Sequence, residues 1–305
     1  MRFVFDTNAL IVGGGSKNGP LPEKLPLYVP LVVLQELFYQ LARPDREPRA
    51  RRALQAAARH PGLVLGPGFK DVVGPCFGRP LRTWPREEGT WREALLLAAD
   101  GAPWVTLRRI WNDLWVEGAT PIWARLFVHM KETKKDFLTA YLDMVGELAP
   151  EMKSEFQRAT AGMTRPQVKE ARAARDERHL ALARLNVFTE LAAMADVLDA
   201  DETFQKMLES QDPDSGDMRV ELGRRLSGAY RGGLEFVMDV MAENQVGHLH
   251  GATRPEENDY FDLCVLASVD THPDTFFVTD EEAWHRAAAK TPWKDQIIKW
   301  KTLQM

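Results

Sequence analysis

The sequence predicts an α/β fold in which a parallel sheet is interrupted by an all-helical insertion. Three observations carry this. Short apolar runs alternate with helical stretches near both ends of the chain, which favours a parallel sheet. Residues 75–247 read almost entirely as helix. That middle segment also holds six of the nine tryptophans, Trp84, Trp91, Trp104, Trp111, Trp115 and Trp123.

The elements follow in order. Arg2-Phe3-Val4-Phe5 stops at Asp6 and reads as a short buried strand that delivers a carboxylate at its C-terminal end. Gly13-Gly14-Gly15-Ser16-Lys17-Asn18-Gly19 lacks the residue order of a phosphate loop and reads as connection. Leu27-Tyr28-Val29 is the second expected strand, and Pro30 suits the first turn of a helix running to about Leu41. Arg49 to Arg59 is expected as helix, and Gly62 to Pro67 as a strand closed by breakers. Beyond Arg254-Pro255 an apolar helix is expected from about Glu256 to Val269. Thr275 to Thr279 then reads as a strand, Trp284 to Ala289 as a helix and Gln296-Ile297-Ile298 as a last short strand. The expected organisation is residues 1–74 and 248–305 as the α/β domain, with 75–247 as the insertion domain.

Composition bounds the function. The chain has 305 residues, 45% apolar and 27% charged, enough to bury a sizeable core. Its net charge of −5 excludes a chain-wide basic coat, so binding to nucleic acid must rest on local patches. Two cysteines, Cys76 and Cys264, exclude a disulfide framework or a Cys-rich zinc site and point to a reducing, cytoplasmic setting. No apolar run reaches the ~18 residues of a membrane span, and the apolar run at the N-terminus is too short for a signal peptide.

Charge is unevenly spread. Arg43, Arg46, Arg49, Arg51, Arg52 and Arg59 cluster against only Asp45 and Glu47. Residues 153–184 carry eight basic and four acidic side chains, while 185–221 carry two basic and ten acidic ones. Lys169, Arg172, Arg175 and Arg178 line up at i+3 steps, as a solvated face or a phosphate-tracking ridge. Trp104, Trp111 and Trp115 form a helical stripe that is ordinarily core and could otherwise stack on bases. His248 and His250 would share one face of an extended segment, but no third ligand is apparent nearby, and a polar loop is the expectation.

Carboxylates stand at four places where apolar sequence would otherwise continue. Asp6 ends the first strand, and Glu36 interrupts Val32-Val33-Leu34-Gln35-Glu36-Leu37-Phe38. Asp259 and Asp262 lie at i and i+3 on one helix face, although Asp259 could equally cap that helix. Asp280 and Glu281 follow the strand ending Val278-Thr279. In open parallel sheets ligands bind beyond the carboxyl ends of the strands. Crowded carboxylates with no supporting His/Cys set favour Mg²⁺ or Mn²⁺, which can drive phosphodiester hydrolysis.

Asp6-Thr7-Asn8-Ala9-Leu10 after an apolar strand resembles the opening motif of PIN-domain nucleases. Val29 to Leu37 resembles their second motif, with Glu36 as its acid. Asp262-Leu263-Cys264-Val265-Leu266-Ala267 resembles the third, with Asp259 one turn earlier, and Phe277 to Trp284 resembles the fourth. The resemblance covers about 1–74 and 248–305 and says nothing of the insertion. It implies a doubly wound, Rossmann-like sheet and a Mg²⁺/Mn²⁺-dependent ribonuclease acting on RNA or single-stranded nucleic acid. On the same terms Asp6, Glu36 and Asp262 would be metal-site and catalytic carboxylates, with Thr7, Asn8 and Thr279 in support. The fourth motif departs from the family's Thr-x-Asp, so both Asp280 and Glu281 stand as its acid. Arg43, Arg46, Arg49, Arg51 and Arg52, with Arg172 and Arg175, are the expected nucleic-acid contacts.

Three alternatives remain at this level. One is a non-catalytic scaffold whose insertion binds a protein partner or a second copy. Another is a toxin-like nuclease held by an inhibitor, with 185–221 as the masking segment. The third is a haloacid-dehalogenase-like phosphatase, disfavoured by Asn8 in place of the second Asp.

Overall fold

The structure, a computed structural model, describes residues 1–13, 21, 23–41, 43–78, 84–103, 106–107, 150–194, 226–250, 259–269 and 274–304. The expectations for the Gly14–Gly19 stretch, for Trp104, Trp111, Trp115 and Trp123, and for most of 185–221 fall outside those residues.

Five short strands form one sheet: β1 (Arg2–Phe5), β2 (Leu27–Val29), β3 (Leu63–Leu65), β4 (Thr275–Val278) and β5 (Ile297–Ile298). Their order is β3-β2-β1-β4-β5 and every pairing is parallel. This is the expected α/β sheet. The chain winds outward from β1 through β2 to β3, then returns to the other side of β1 for β4 and β5. The switch of direction therefore lies between β1 and β4, where Phe5 pairs with Val278.

Helices make the crossovers. Helix α1 (Thr7–Gly13) follows β1 directly, and α2 (Leu31–Leu41) follows Pro30 at the end of β2. The first of these is too short for a helical period to show in the sequence. Helix α3 (Glu47–Arg59) starts two residues before the expected Arg49, because Pro48 fits its first turn. Its buried side chains Ala50, Ala53, Leu54 and Ala57 recur at helical spacing. Three of the four are alanine, which lets α3 lie close against α1, α2 and α5 (Trp84–Ala99). Helix α4 (Phe69–Cys76), unread in the sequence, carries Pro75 in its last turn.

The β3 strand is shorter than the expected Gly62–Pro67. Gly66 ends it: its N–H donates to Val29 O at 2.8 Å, and the Tyr28 ring fills the space a Cβ would need.

Helices α6 (Arg165–Met194) and α7 (Glu235–Leu249) pack along each other. Arg184 meets Asp239 at 3.0 Å while Asp176 meets His250 at 3.7 Å, so the two run antiparallel. Helix α7 is buried all round, as Phe236, Val237, Val240, Met241 and Ala242 show. Such a helix belongs inside a core rather than on its surface. It touches α8 (Asp259–Leu266) and α9 (Glu282–Ala288), and its Asp239 also accepts from Trp293 Nε1 at 2.8 Å.

The expected domain boundaries at 74/75 and 247/248 fall inside α4 and α7. One hydrophobic cluster joins sheet residues such as Phe5, Val29 and Phe277 with Trp91, Leu95, Phe188, Leu191 and Phe236. Trp91 stacks on Phe38 of α2, with centroids 6.1 Å apart. The described helices of the insertion thus share a core with the sheet. Among the described residues no helix is long and apolar enough to cross a membrane.

Candidate active site

Two strand ends meet at the switch point. Asp6 follows β1 and Thr279 follows β4, and the register that pairs Phe5 with Val278 sets them side by side. Asp6 N donates to Val278 O at 3.2 Å and Thr279 N to Ile298 O at 3.1 Å, so hydrogen bonds continue past the strand ends and fix both residues.

Asp6 is 6% exposed and caps α1, its Oδ1 accepting from Ala9 N at 2.5 Å. The Thr279 hydroxyl donates to the same carboxyl. Burial nonetheless pushes Asp6 up to about pKa 7, against the lowering pull of these two hydrogen bonds and with help from the negative charges of Glu281 and Glu36. A carboxyl in that position binds a proton readily at neutral pH, and a cation beside it would take the proton's place.

Each neighbouring carboxylate is held by its own donor. Thr7 Oγ1, one residue past Asp6, donates to Glu36 Oε2 at 2.5 Å. The α2 helix begins at the carboxyl end of β2, so its first turns stand above the sheet edge. Glu36 is half-buried on a helix whose other described side chains are buried. Asn8 Nδ2 donates to Glu281 Oε1 at 2.5 Å, and Trp284 Nε1 donates to Glu281 Oε2 at 3.1 Å. Glu281 N in turn donates to Thr279 Oγ1 at 3.1 Å. His285 Nε2 donates to Thr279 O at 2.9 Å and clamps the same turn from α9.

Asp280 and Glu281 point different ways. Asp280 Oδ1 accepts from Trp300 N at 3.2 Å, at the start of the closing 3-10 turn Trp300–Gln304. Glu281 is the one joined to Asn8 and felt by Asp6. The signal that separates them is Trp284, three residues after Glu281 on α9, whose indole N–H needs an acceptor at that spacing.

Asp262 lies on α8, which packs against α2, the helix of Glu36, and against α7. It is half-buried, and its charge adds to burial in raising the neighbouring Cys264 thiol. Asp259 opens the same helix. The expected helix from Glu256 begins, within the described residues, at Asp259.

The arginines divide into two groups. Arg46, Arg49, Arg52, Arg59 and Arg172 are exposed. Arg51 is half-buried and engaged: its Nη1 donates to Ala98 O at 2.9 Å and Ala102 O at 3.2 Å, and its Nη2 to Glu47 at 2.6 Å. It satisfies carbonyls at the end of α5 and holds that helix to α3. Arg175 is engaged as well, with Asp176 at 2.8 Å and the Phe156 ring 4.4 Å away, and Arg43 is half-buried.

The donor set at the strand ends is all hard oxygen, from Asp6, Glu36 and Glu281 with Thr7 and Thr279 beside them. Asp6 and Glu281 each accept two hydrogen bonds, fewer than the roughly four that a carboxylate can accept. Such a set fits Mg²⁺ or Mn²⁺ and lacks the nitrogen and sulfur that softer metals prefer. Comparison with family models, curated proteins and solved structures returns no match in any of the three.

Proposed function

We propose that the chain is a Mg²⁺/Mn²⁺-dependent ribonuclease of PIN type that hydrolyses phosphodiester bonds of RNA or single-stranded nucleic acid. The observation that carries this reading is the gathering of Asp6, Glu36 and Glu281 at the carboxyl ends of β1 and β4, with Asp6 pushed up to about 7 by burial and by the other two. Carboxyls arranged so that they repel one another are stable together when a cation sits among them.

Asp6, Glu36 and Glu281 would hold the cation, and Asp262 would complete the acidic wall from α8. When bound, the cation supplies positive charge that eases proton loss from water and stabilises charge building on the phosphate. The protein's own part is positioning. Thr7 fixes Glu36, Asn8 and Trp284 fix Glu281, and Thr279 fixes Asp6, so that the three carboxylates are held at the same sheet edge. Preset donors of this kind need little rearrangement as charge develops. The exposed Arg46, Arg49, Arg52 and Arg172 would hold phosphates by charge alone, which fits a substrate read by its backbone. Two free thiols, Cys76 and Cys264, agree with a reducing, cytoplasmic setting.

The test is cleavage of labelled single-stranded RNA by Glu281→Gln and Asp280→Asn beside the wild type. The reading expects Glu281→Gln to lose cutting and Asp280→Asn to retain it. Equal activity in the wild type and Glu281→Gln would reject it.

A further inference from the structure

A second group of ligand-type side chains lies on the helical part of the molecule. Asp176 and His179 stand at i and i+3 on α6, and His250 closes the C-terminal end of α7. His179 Nδ1 and His250 Nε2 are 3.2 Å apart, His250 Nε2 and Asp176 Oδ1 are 3.7 Å apart, and one ligand atom from each residue falls within 4.8 Å of the others. We propose that Asp176, His179 and His250 form a binding site for a borderline transition-metal dication, Zn²⁺ above all, that ties α6 to α7.

Geometry carries the assignment. Two nitrogens bound to one zinc at 2.0–2.1 Å in a tetrahedral arrangement are separated by about 3.3 Å. The two imidazoles already stand at that separation, and a small turn of the Asp176 carboxylate closes the third edge. Two nitrogens and one oxygen suit Zn²⁺, Co²⁺ or Ni²⁺, whereas Mg²⁺ prefers the all-oxygen set at the sheet edge. Burial lowers both imidazoles and favours their neutral form, the form that ligates a metal, and the 3.2 Å hydrogen bond between the two nitrogens is the contact a metal would replace. Arg175, seated over Phe156, holds Asp176 Oδ1, the same oxygen that lies 3.7 Å from His250 Nε2, and fixes the carboxylate as outer-shell partners do. Glu243, about two turns back on α7, is paired with Lys290 at 3.0 Å, and the two charges act on His250 in opposite senses.

The sequence hid this site. His250 stands beside His248 in the sequence, but His248 is buried in the last turn of α7 and burial lowers it to about pKa 4. The true neighbours come from α6, through the antiparallel packing of the two helices.

The experiment uses the full chain freed of metal and supplied with excess Mg²⁺ to fill the acidic site. Co²⁺ is titrated and followed by its visible absorption. The expected result is one Co²⁺ per chain with tetrahedral bands, bound at micromolar concentration or tighter and displaced by Zn²⁺. His179→Gln and His250→Gln should each weaken binding by more than about 100-fold, beyond the upper end of what losing an outer-shell partner costs. Asp6→Asn should leave the bands unchanged, which separates this site from the nuclease reading. Far-UV circular dichroism confirms folding of each variant. Binding only at millimolar Co²⁺ by the folded wild type, or undiminished binding by a folded His179→Gln/His250→Gln double variant, would overturn the proposal.

Discussion

Replacing Asp6 by Asn should make the metal-free protein more stable at neutral and alkaline pH. The unfolded chain holds this carboxyl near about 3.9, whereas burial and the charges of Glu281 and Glu36 raise it to about 7 in the fold. Between those values the native state keeps a proton that the unfolded state has released, so stability falls as pH rises through the window. The full loss is about 4 kcal/mol, from about three pKa units at 1.36 kcal/mol each. Roughly 3 kcal/mol of it falls between about pH 5 and about pH 8. Asn keeps the oxygen that accepts from Ala9 N and carries no charge at any pH. Urea denaturation of both proteins in EDTA, at the two ends of that range, isolates the effect. The wild type should lose stability relative to the variant by about 3 kcal/mol on going to the higher pH. Adding Mg²⁺ at about 100 times its dissociation constant should return about 2.7 kcal/mol to the wild type and nothing to Asp6→Asn. A stability difference that stays flat with pH would refute the burial of an ionisable Asp6 against its acidic neighbours.

Other positions give separate readouts. Asp280→Ala should cost about 1 kcal/mol by urea melting, through loss of its bond to Trp300 N, while single-strand cleavage stays within twofold. Arg51→Ala should destabilise by about 2 kcal/mol, because the carbonyls of Ala98 and Ala102 lose a charged donor. Arg46→Ala with Arg49→Ala should change stability by less than about 0.5 kcal/mol each. The same pair should flatten the dependence of log binding constant on log salt by about 0.7 per arginine for a single strand. An unchanged slope would remove those side chains from the phosphate contacts. Gly66→Ala should cost about 1–3 kcal/mol, since its Cβ would stand 2.4 Å from the Tyr28 hydroxyl; a loss under about 0.5 kcal/mol would show that the ring moves freely.

What the sequence revealed was local. Arg2–Phe5 and Thr275–Val278 are short apolar runs broken by polar residues, and both are strands because a buried parallel sheet needs such runs. Asp6 and Glu36 stood out because each interrupts apolar sequence, and the structure joins their surroundings through Thr7. What escaped depended on contacts distant in sequence or on elements too short to show a period. Helix α1 spans only seven residues, and α4 is masked by Pro75. The fourth motif leaves both Asp280 and Glu281 as its acid; the acceptor needs of Trp300 N and Trp284 Nε1 separate them. Arg51 looked like its neighbours in the basic cluster until α5, some forty residues on, supplied its carbonyl partners. The meeting of His179 and His250 follows from the pairing of α6 with α7, which no short window of sequence contains.

Cation-dependent cleavage of nucleic acid at the acidic edge between β1 and β4 is the proposed function. Its most direct measurement is the cleavage of end-labelled single-stranded RNA and DNA by the wild type and Asp6→Asn, each with Mg²⁺, Mn²⁺ or EDTA. The wild type should cut with either cation and not in EDTA, with a preference for RNA, and the variant should lose cutting. Folded wild type that cuts neither strand with either cation, or cutting that survives in Asp6→Asn, would contradict the proposed function.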